Sequence, residues 1–388
     1  MPDSPIRKLA PFATVAMQAG RRVLHLNIGQ PDIETPEVAL AAIRNLDRTV
    51  IEYSPSEGFA SYREGLAAYY QTVGVRVTPE QIMVTTGGSE ALVFAFQACL
   101  EPGDEVIIPE PFYANYNGFA QMAGVKVVPV TSSIETGFAL PPVEQIASKI
   151  TPRTRAILIC NPGNPTGYVY SDEELNSIRD LAIEHDLYVF ADEVYREFCY
   201  GDRLPKSVMA LEGVDENVVL IDSVSKRYSM CGARVGALLT RNDAVLKACM
   251  KFAMARLSPP TLGQVAGEAA LQTPASYFSD VIDQYVQRRD VLVEGLNAIE
   301  GVLCPNPGGA FYCVARLPID SSDAFCQWML EHFELDGDTV MMAPATGFYA
   351  SPDAGQNEVR LAYVLEVGLI RRAVDVLAAG LAAYPGRV

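Results

Sequence analysis

The chain has no C-x-x-C pair, and its three histidines form no cluster with cysteines at metal-ligand spacing, so no metal is assigned. Its eight cysteines are scattered singly, at Cys99, Cys160, Cys199, Cys231, Cys249, Cys304, Cys313 and Cys326. Several stand in apolar runs such as "AILIC" and "AFQACL", where a cysteine reads as a buried free thiol. Basic residues are few: 30 Lys and Arg against 47 Asp and Glu leave a net charge of −17. That argues against a nucleic-acid partner, because phosphate contact needs an excess of cations. No uninterrupted apolar run is long enough to span a bilayer. The opening "MPDSPIRKLAPFATVAMQAG" lacks the continuous apolar core of a signal peptide. There is no internal repeat and no low-complexity linker. The expectation is a reduced, soluble, cytoplasmic protein with neither nucleic acid nor membrane as a partner.

What is present is a large core. Of 388 residues, 49% are hydrophobic and 20% charged, which is ordinary for a globular protein of more than one domain. Short apolar runs ("QIMVTT", "RAILIC", "DLYVF", "NVVLIDS", "ARVGALLT") alternate with amphipathic stretches such as "SDEELNSIRDLAIEHD". In the latter, Ser171 is a candidate N-cap with Glu174 three residues later. This alternation predicts an α/β domain with a mostly parallel sheet. From about Tyr277 the texture changes to a long helical pattern followed by α+β order. The predicted division is an N-terminal segment at 1–45 packing with a small domain, a large domain at 46–280, and the smaller α+β domain at 281–388.

In parallel α/β sheets, ligands sit at the carboxyl ends of strands. After "IMVTT" comes Gly87-Gly88-Ser89 opening a helix, whose exposed N–H groups suit an anion. It is no P-loop, since no Gly-Lys-Ser/Thr follows. After "AILIC" comes "NPGNPTG", a rigid turn that presents Asn164. After "LYVF" comes Asp192, a carboxylate that is costly to bury without a cation or solvent, with Tyr195 three residues on. After "VVLI" comes "DSVSKRYSMCGARVG", where Lys226 follows an apolar strand and precedes Arg234. Desolvation beside a second cation disfavours the charge of a lysine and makes its amine nucleophilic. A phosphate cradle, a carboxylate, a phenol, an amide, an arginine and a lysine are together the set that a pyridoxal phosphate enzyme needs.

The segment "SVSKRYSMCGARVG", with "NPGNPTG", "DEVY" and the late "VRLAYV" in order, resembles the fold-type I pyridoxal-phosphate aminotransferases of the aspartate aminotransferase (class I/II) family over nearly the whole chain. The resemblance implies a large domain built on a mostly parallel seven-stranded sheet flanked by helices, plus the smaller α+β domain. It implies pyridoxal 5'-phosphate as cofactor, with Lys226 as the Schiff-base lysine and proton carrier and Asp192 facing the pyridine nitrogen. Tyr195 and Asn164 would bond the ring's 3-oxygen. Gly88, Ser89, Ser223, Ser225 and Arg234 would hold the phosphate, with Gly87 shaping the turn. Tyr113 would stack on the ring. Tyr53 would reach the phosphate of the neighbouring subunit, which makes a homodimer with shared active sites the expectation. Arg360 would clamp the substrate α-carboxylate, with the Gly29 N–H beside it.

The implied reaction moves an amino group between an amino acid and a 2-oxo acid by a ping-pong mechanism. Aspartate with 2-oxoglutarate is the first expectation, and a related dicarboxylic or aromatic pair remains open. Arg256 stands near the place where dicarboxylate-specific members carry a side-chain arginine, with a surface role as the alternative. Relatives on this scaffold also perform elimination, replacement or ring formation, including on S-adenosylmethionine, and that stays as the alternative chemistry.

Overall fold

The computed structural model describes residues 7–201 and 206–388. Strand β1 (Arg22–His25) lies apart from β2 (Ile82–Thr85), β3 (Glu105–Glu110), β4 (Lys126–Thr131), β5 (Thr154–Cys160), β6 (Tyr188–Asp192), β7 (Val218–Ser223) and β8 (Gly236–Leu239). The last seven form one sheet in the order β2-β8-β7-β6-β5-β3-β4. Pairs from β4 through β7 are parallel, whereas β8 is antiparallel to both β7 and β2.

The near-continuous apolar runs follow from burial on both faces. Along β5, Ala156, Leu158 and Cys160 enter one core cluster while Ile157 and Ile159 enter the other. That is the period of two expected of a strand between two layers of helices. Each fully buried Leu or Ile contributes roughly 1.5–3 kcal/mol relative to an exposed one. One flanking helix, Asp172–Glu184, starts in the capping box that Ser171 and Glu174 form.

Because β8 runs against both neighbours, β2 and β7 run the same way. The ends of β2, β5, β6 and β7 and the start of β8 therefore meet at one edge. Register confirms it: Thr85 and Ser223 both pair with Gly236.

The chain then runs through the helix Ala275–Asn297 into β9 (Tyr312–Arg316), β10 (Asp338–Met341), β11 (Ala343–Pro344) and β12 (Glu358–Ala362). Strands β11, β12 and β9 make a second, antiparallel sheet. Strand β1 pairs in parallel with β10. Asp338 of β10 receives Arg22 Nε at 2.6 Å and Arg372 Nε at 2.7 Å. Among the described residues, no helix is long and apolar enough to cross a membrane, and no group of His, Cys, Asp and Glu could hold a metal ion. All eight cysteines are free thiols, five of them buried.

Candidate active site

The shared edge gathers what the sequence placed after each strand. Gly87, Gly88 and Ser89 form the first turn of the helix Gly87–Cys99, directly after β2. Gly87 has φ +74°, and a Cβ there would stand 2.5 Å from Arg234 Nη2. Arg234 reaches the same edge because it stands two residues before β8, and its Nη1 donates to Cys231 O at 3.0 Å. Ser223 Oγ lies 2.8 Å from Ser225 Oγ and 2.9 Å from Val235 O, so both hydroxyls face the hairpin between β7 and β8. Two N–H groups at a helix N-terminus, two hydroxyls and a guanidinium thus stand at one edge of the sheet. That donor set suits a phosphate.

Lys226 sits in the short helix Val224–Arg227 that follows β7. Its Nζ donates to Gly29 O at 2.8 Å and lies 3.7 Å from Cys231 Sγ. Gly29 is thus at the site through its carbonyl.

Asp192 ends β6 and is buried. Its Oδ2 accepts from the Tyr116 hydroxyl at 2.6 Å, and among the described residues no lysine or arginine pairs with it. Burial pushes its carboxyl up to about 6, against the pull of that hydroxyl. Asp222, at the end of the neighbouring strand, is buried just as deeply, yet Arg227 and Arg196 hold its carboxyl below the usual range. Of two buried aspartates side by side, only Asp192 lacks a cation. A buried carboxylate without a cation suits a ligand that carries positive charge. Tyr113 stands nearby, half-buried, with its ring edge-on to Tyr116 at 5.5 Å.

The second sheet supplies the other wall. Arg360 is fully buried in the middle of β12, with Nη1 donating to Asn164 Oδ1 at 3.1 Å and Nη2 to Asn27 O at 2.5 Å. Its Nε has no partner among the described residues, and burial lowers the pKa of the guanidinium. It lies over the rings of Tyr312 at 4.6 Å and Phe348 at 4.8 Å. A buried arginine with spare donors and no carboxylate suits a carboxylate ligand. Asn164 Nδ2 donates to Tyr195 Oη at 3.3 Å, and Tyr195 Oη lies 3.1 Å from Tyr312 Oη.

Lys226, Gly29, Tyr312, Tyr195, Asn164 and Arg360 thus form one connected set, and Asp192 and Tyr113 are joined to each other through Tyr116. Tyr53 does not join it: it is 78% exposed. Arg256 is neither free nor superficial, since its Nη1 donates to Glu90 Oε2 at 2.6 Å and its Nη2 to Ser56 O at 2.8 Å. Sequence reasoning missed Tyr116 and Tyr312. The first could have been found one helical turn after Tyr113, whereas the second stands in an apolar run with no local mark.

Comparison with known proteins agrees with this geometry. Residues 21–377 match the family described as aminotransferase class I and II. The chain is 32% identical to an aspartate aminotransferase of Bacillus subtilis, covering 95% of this chain and 96% of that one. It is 33% identical to the aspartate/prephenate aminotransferase of Thermus thermophilus, at 95% and 96% coverage. The solved aspartate aminotransferase from Thermus thermophilus with maleate superposes with a TM-score of 0.89, at 32% identity and 98% and 97% coverage. The lysine after a buried strand, the glycine-opened helix and the buried arginine are set in an architecture shared almost end to end, and the chain belongs to the class I and II aminotransferases.

Proposed function

We propose that the chain is a pyridoxal-phosphate-dependent aminotransferase that moves an amino group between aspartate and 2-oxoglutarate, or a related dicarboxylic or aromatic pair. The observation that carries the cofactor reading is Asp192, a buried carboxylate without a cationic partner one strand away from one that has two. The cofactor, when bound, supplies an aldehyde for amines and a ring that takes up electron density from the substrate Cα.

The chain's own residues then have separable tasks. The Gly88 and Ser89 N–H groups, Ser223, Ser225 and Arg234 hold the phosphate, with Gly87 giving the turn its shape. Asp192 pairs with the ring nitrogen. Tyr195 and Asn164 bond the 3-oxygen, and Tyr113 covers the ring face. Arg360 receives the α-carboxylate, with the Gly29 N–H beside it. Lys226 would anchor the cofactor and, once its amine is freed, would accept the proton that leaves the substrate Cα. Burial around Arg360 and Asp192 keeps water from competing for these contacts.

Tyr53 belongs to the partner subunit's site in this reading. Its support is an exposed apolar patch of Val50, Ile51, Tyr53, Met254, Leu257 and Leu262. The patch is tied together by Thr261 Oγ1 donating to Glu52 O at 2.9 Å and Ser56 Oγ donating to Leu257 O at 2.7 Å. A patch of that kind suits a homodimer interface. Free thiols support a cytoplasmic location. For the substrate, the support is the pair of relatives named for aspartate and prephenate, and the solved relative that holds maleate, a dicarboxylate.

The test is spectral. Loaded with pyridoxal phosphate, the protein should show visible absorbance that bleaches with aspartate and returns with 2-oxoglutarate. Lys226→Ala should lose both the absorbance and transamination. Full transaminase activity in that variant, or no bleaching by any amino acid of a broad panel, overturns the proposal.

A further inference from the structure

Asn164 fixes the direction of the hydrogen bonds around Tyr195. Its Oδ1 accepts from Arg360 Nη1 at 3.1 Å, so Nδ2 is the atom that faces Tyr195 Oη at 3.3 Å. An amide nitrogen only donates. Tyr195 Oη is therefore an acceptor on that side, and keeps one proton and one further lone pair.

What happens to that proton depends on Tyr312. Tyr312 Oη lies 3.1 Å from Tyr195 Oη and 3.4 Å from Gly29 O. If Tyr312 donates to Gly29, then Tyr195 gives its proton to Tyr312 and has none left for a ligand. If Tyr312 donates to Tyr195, the Tyr195 proton points outward. The distances favour the second arrangement. The Tyr195 contact is the shorter one, and Gly29 O already accepts from Lys226 Nζ at 2.8 Å.

We propose that Tyr312 is a positioning residue whose hydroxyl donates to Tyr195 and thereby aims the Tyr195 proton at the cofactor's 3-oxygen. The proposal rests on the pyridoxal phosphate reading above. Tyr312 is only 2% exposed, so water does not compete for this bond. Its ring has a second, separable task. In the β9–β12 register Val314 pairs with Arg360 and Tyr312 with Ala362, which places Tyr312 diagonally beside Arg360 on one face. The Arg360 guanidinium lies over that ring at 4.6 Å. One side chain thus links the carboxylate arginine to the phenol through ring and hydroxyl respectively.

The hydroxyl has a spectroscopic consequence. A hydrogen bond to the anionic 3-oxygen stabilises its charge, so the proton that this oxygen shares with Lys226 Nζ leaves at lower pH. Removing the Tyr312 hydroxyl weakens the Tyr195 donor and moves that event to higher pH.

The test titrates the visible absorbance of the cofactor-loaded protein with pH, without substrate. Tyr312→Phe removes one oxygen and keeps the ring. Its midpoint should lie roughly half a unit to one unit above wild type, equivalent to one neutral hydrogen bond. Its KM for amino acid should stay within about twofold, because the ring under Arg360 is kept. Tyr312→Leu removes hydroxyl and ring, and should show the same midpoint shift together with a KM raised roughly two- to fivefold. Either variant alone decides the question of the hydroxyl. On a Tyr195→Phe background, Tyr312→Phe should move the midpoint no further. A midpoint equal to wild type in the single variants, or a full additional shift on the Tyr195→Phe background, overturns the proposal. Wild-type protein that gains no visible absorbance on loading overturns the cofactor reading instead.

Discussion

The Tyr116 hydroxyl donates to Asp192 Oδ2 at 2.6 Å, deep under the edge where six strands of the sheet end. It is a neutral partner for a group that burial holds at about 6. The unfolded chain would hold that carboxyl near 3.9. The folded protein therefore binds this proton more tightly than the unfolded chain. The group's contribution to stability is best below about pH 4 and declines as pH rises through about 6.

Asp192→Asn should consequently stabilise the cofactor-free protein at pH 7.5, by on the order of 2 kcal/mol, and make no difference near pH 4. In the loaded protein the order should reverse, because asparagine cannot pair with a charged ring nitrogen. Thermal unfolding of both proteins at the two pH values, with and without pyridoxal phosphate, measures this. A cofactor-free wild type that melts above the variant at pH 7.5 contradicts it.

Gly29→Ala should damage the site through Tyr312. A Cβ at Gly29 would stand 1.7 Å from Tyr312 Oη and 2.2 Å from Cζ, so the ring must move. Overpacking of this kind costs about 1–3 kcal/mol. Urea unfolding should show that loss, and Tyr312→Leu on the same chain should recover part of it. Additive losses in the double variant would show that the collision is not the cause.

Asp338 behaves in the opposite sense to Asp192. Hydrogen bonds from Arg22, and then Arg372, hold its carboxyl down to about 2. Its contribution is present above about pH 4 and is lost as pH falls through about 2. Arg22 is well exposed, so screening reduces the effect, and Asp338→Asn should cost about 1 kcal/mol at neutral pH. That difference should shrink steadily in urea unfolding between pH 4 and pH 2. A constant difference across this range would point to packing rather than charge.

Much of the site was legible because parallel strands present their chemistry at one end. Asp192, Asn164 and Lys226 each stand where an apolar run stops, and a polar residue there has few structural reasons to exist. Tyr312 was not legible. It lies inside "GAFYCVAR", where a tyrosine reads as core, and only the β9–β12 register sets it beside Arg360. The surroundings of Arg256 were not legible for a related reason. The end of its helix meets Glu90 across 166 positions of sequence, a contact that no local pattern encodes. The fold class followed from alternation, but the reversed direction of β8 did not. A four-residue apolar strand looks the same in either direction, and that reversal is what carries Arg234 to the edge where β2 and β7 end.

The pairing of β1 with β10 has a consequence for synthesis. Arg22 and Asp338 are 316 positions apart. At ribosomal speeds of roughly 5–20 residues per second, the first strand waits about 15–60 seconds for its partner to emerge. All seven strands of the large sheet precede β10, so that sheet can assemble while Val23, Leu24 and Leu26, buried in the finished protein, still lack their cover. Gly29 lies only three residues beyond Leu26, so the carbonyl that receives Lys226 is among the last parts of the site to be seated. The nascent chain therefore carries a formed lysine edge before it carries a finished active site, and its N-terminal apolar segment is the part most exposed to misassociation in the interval.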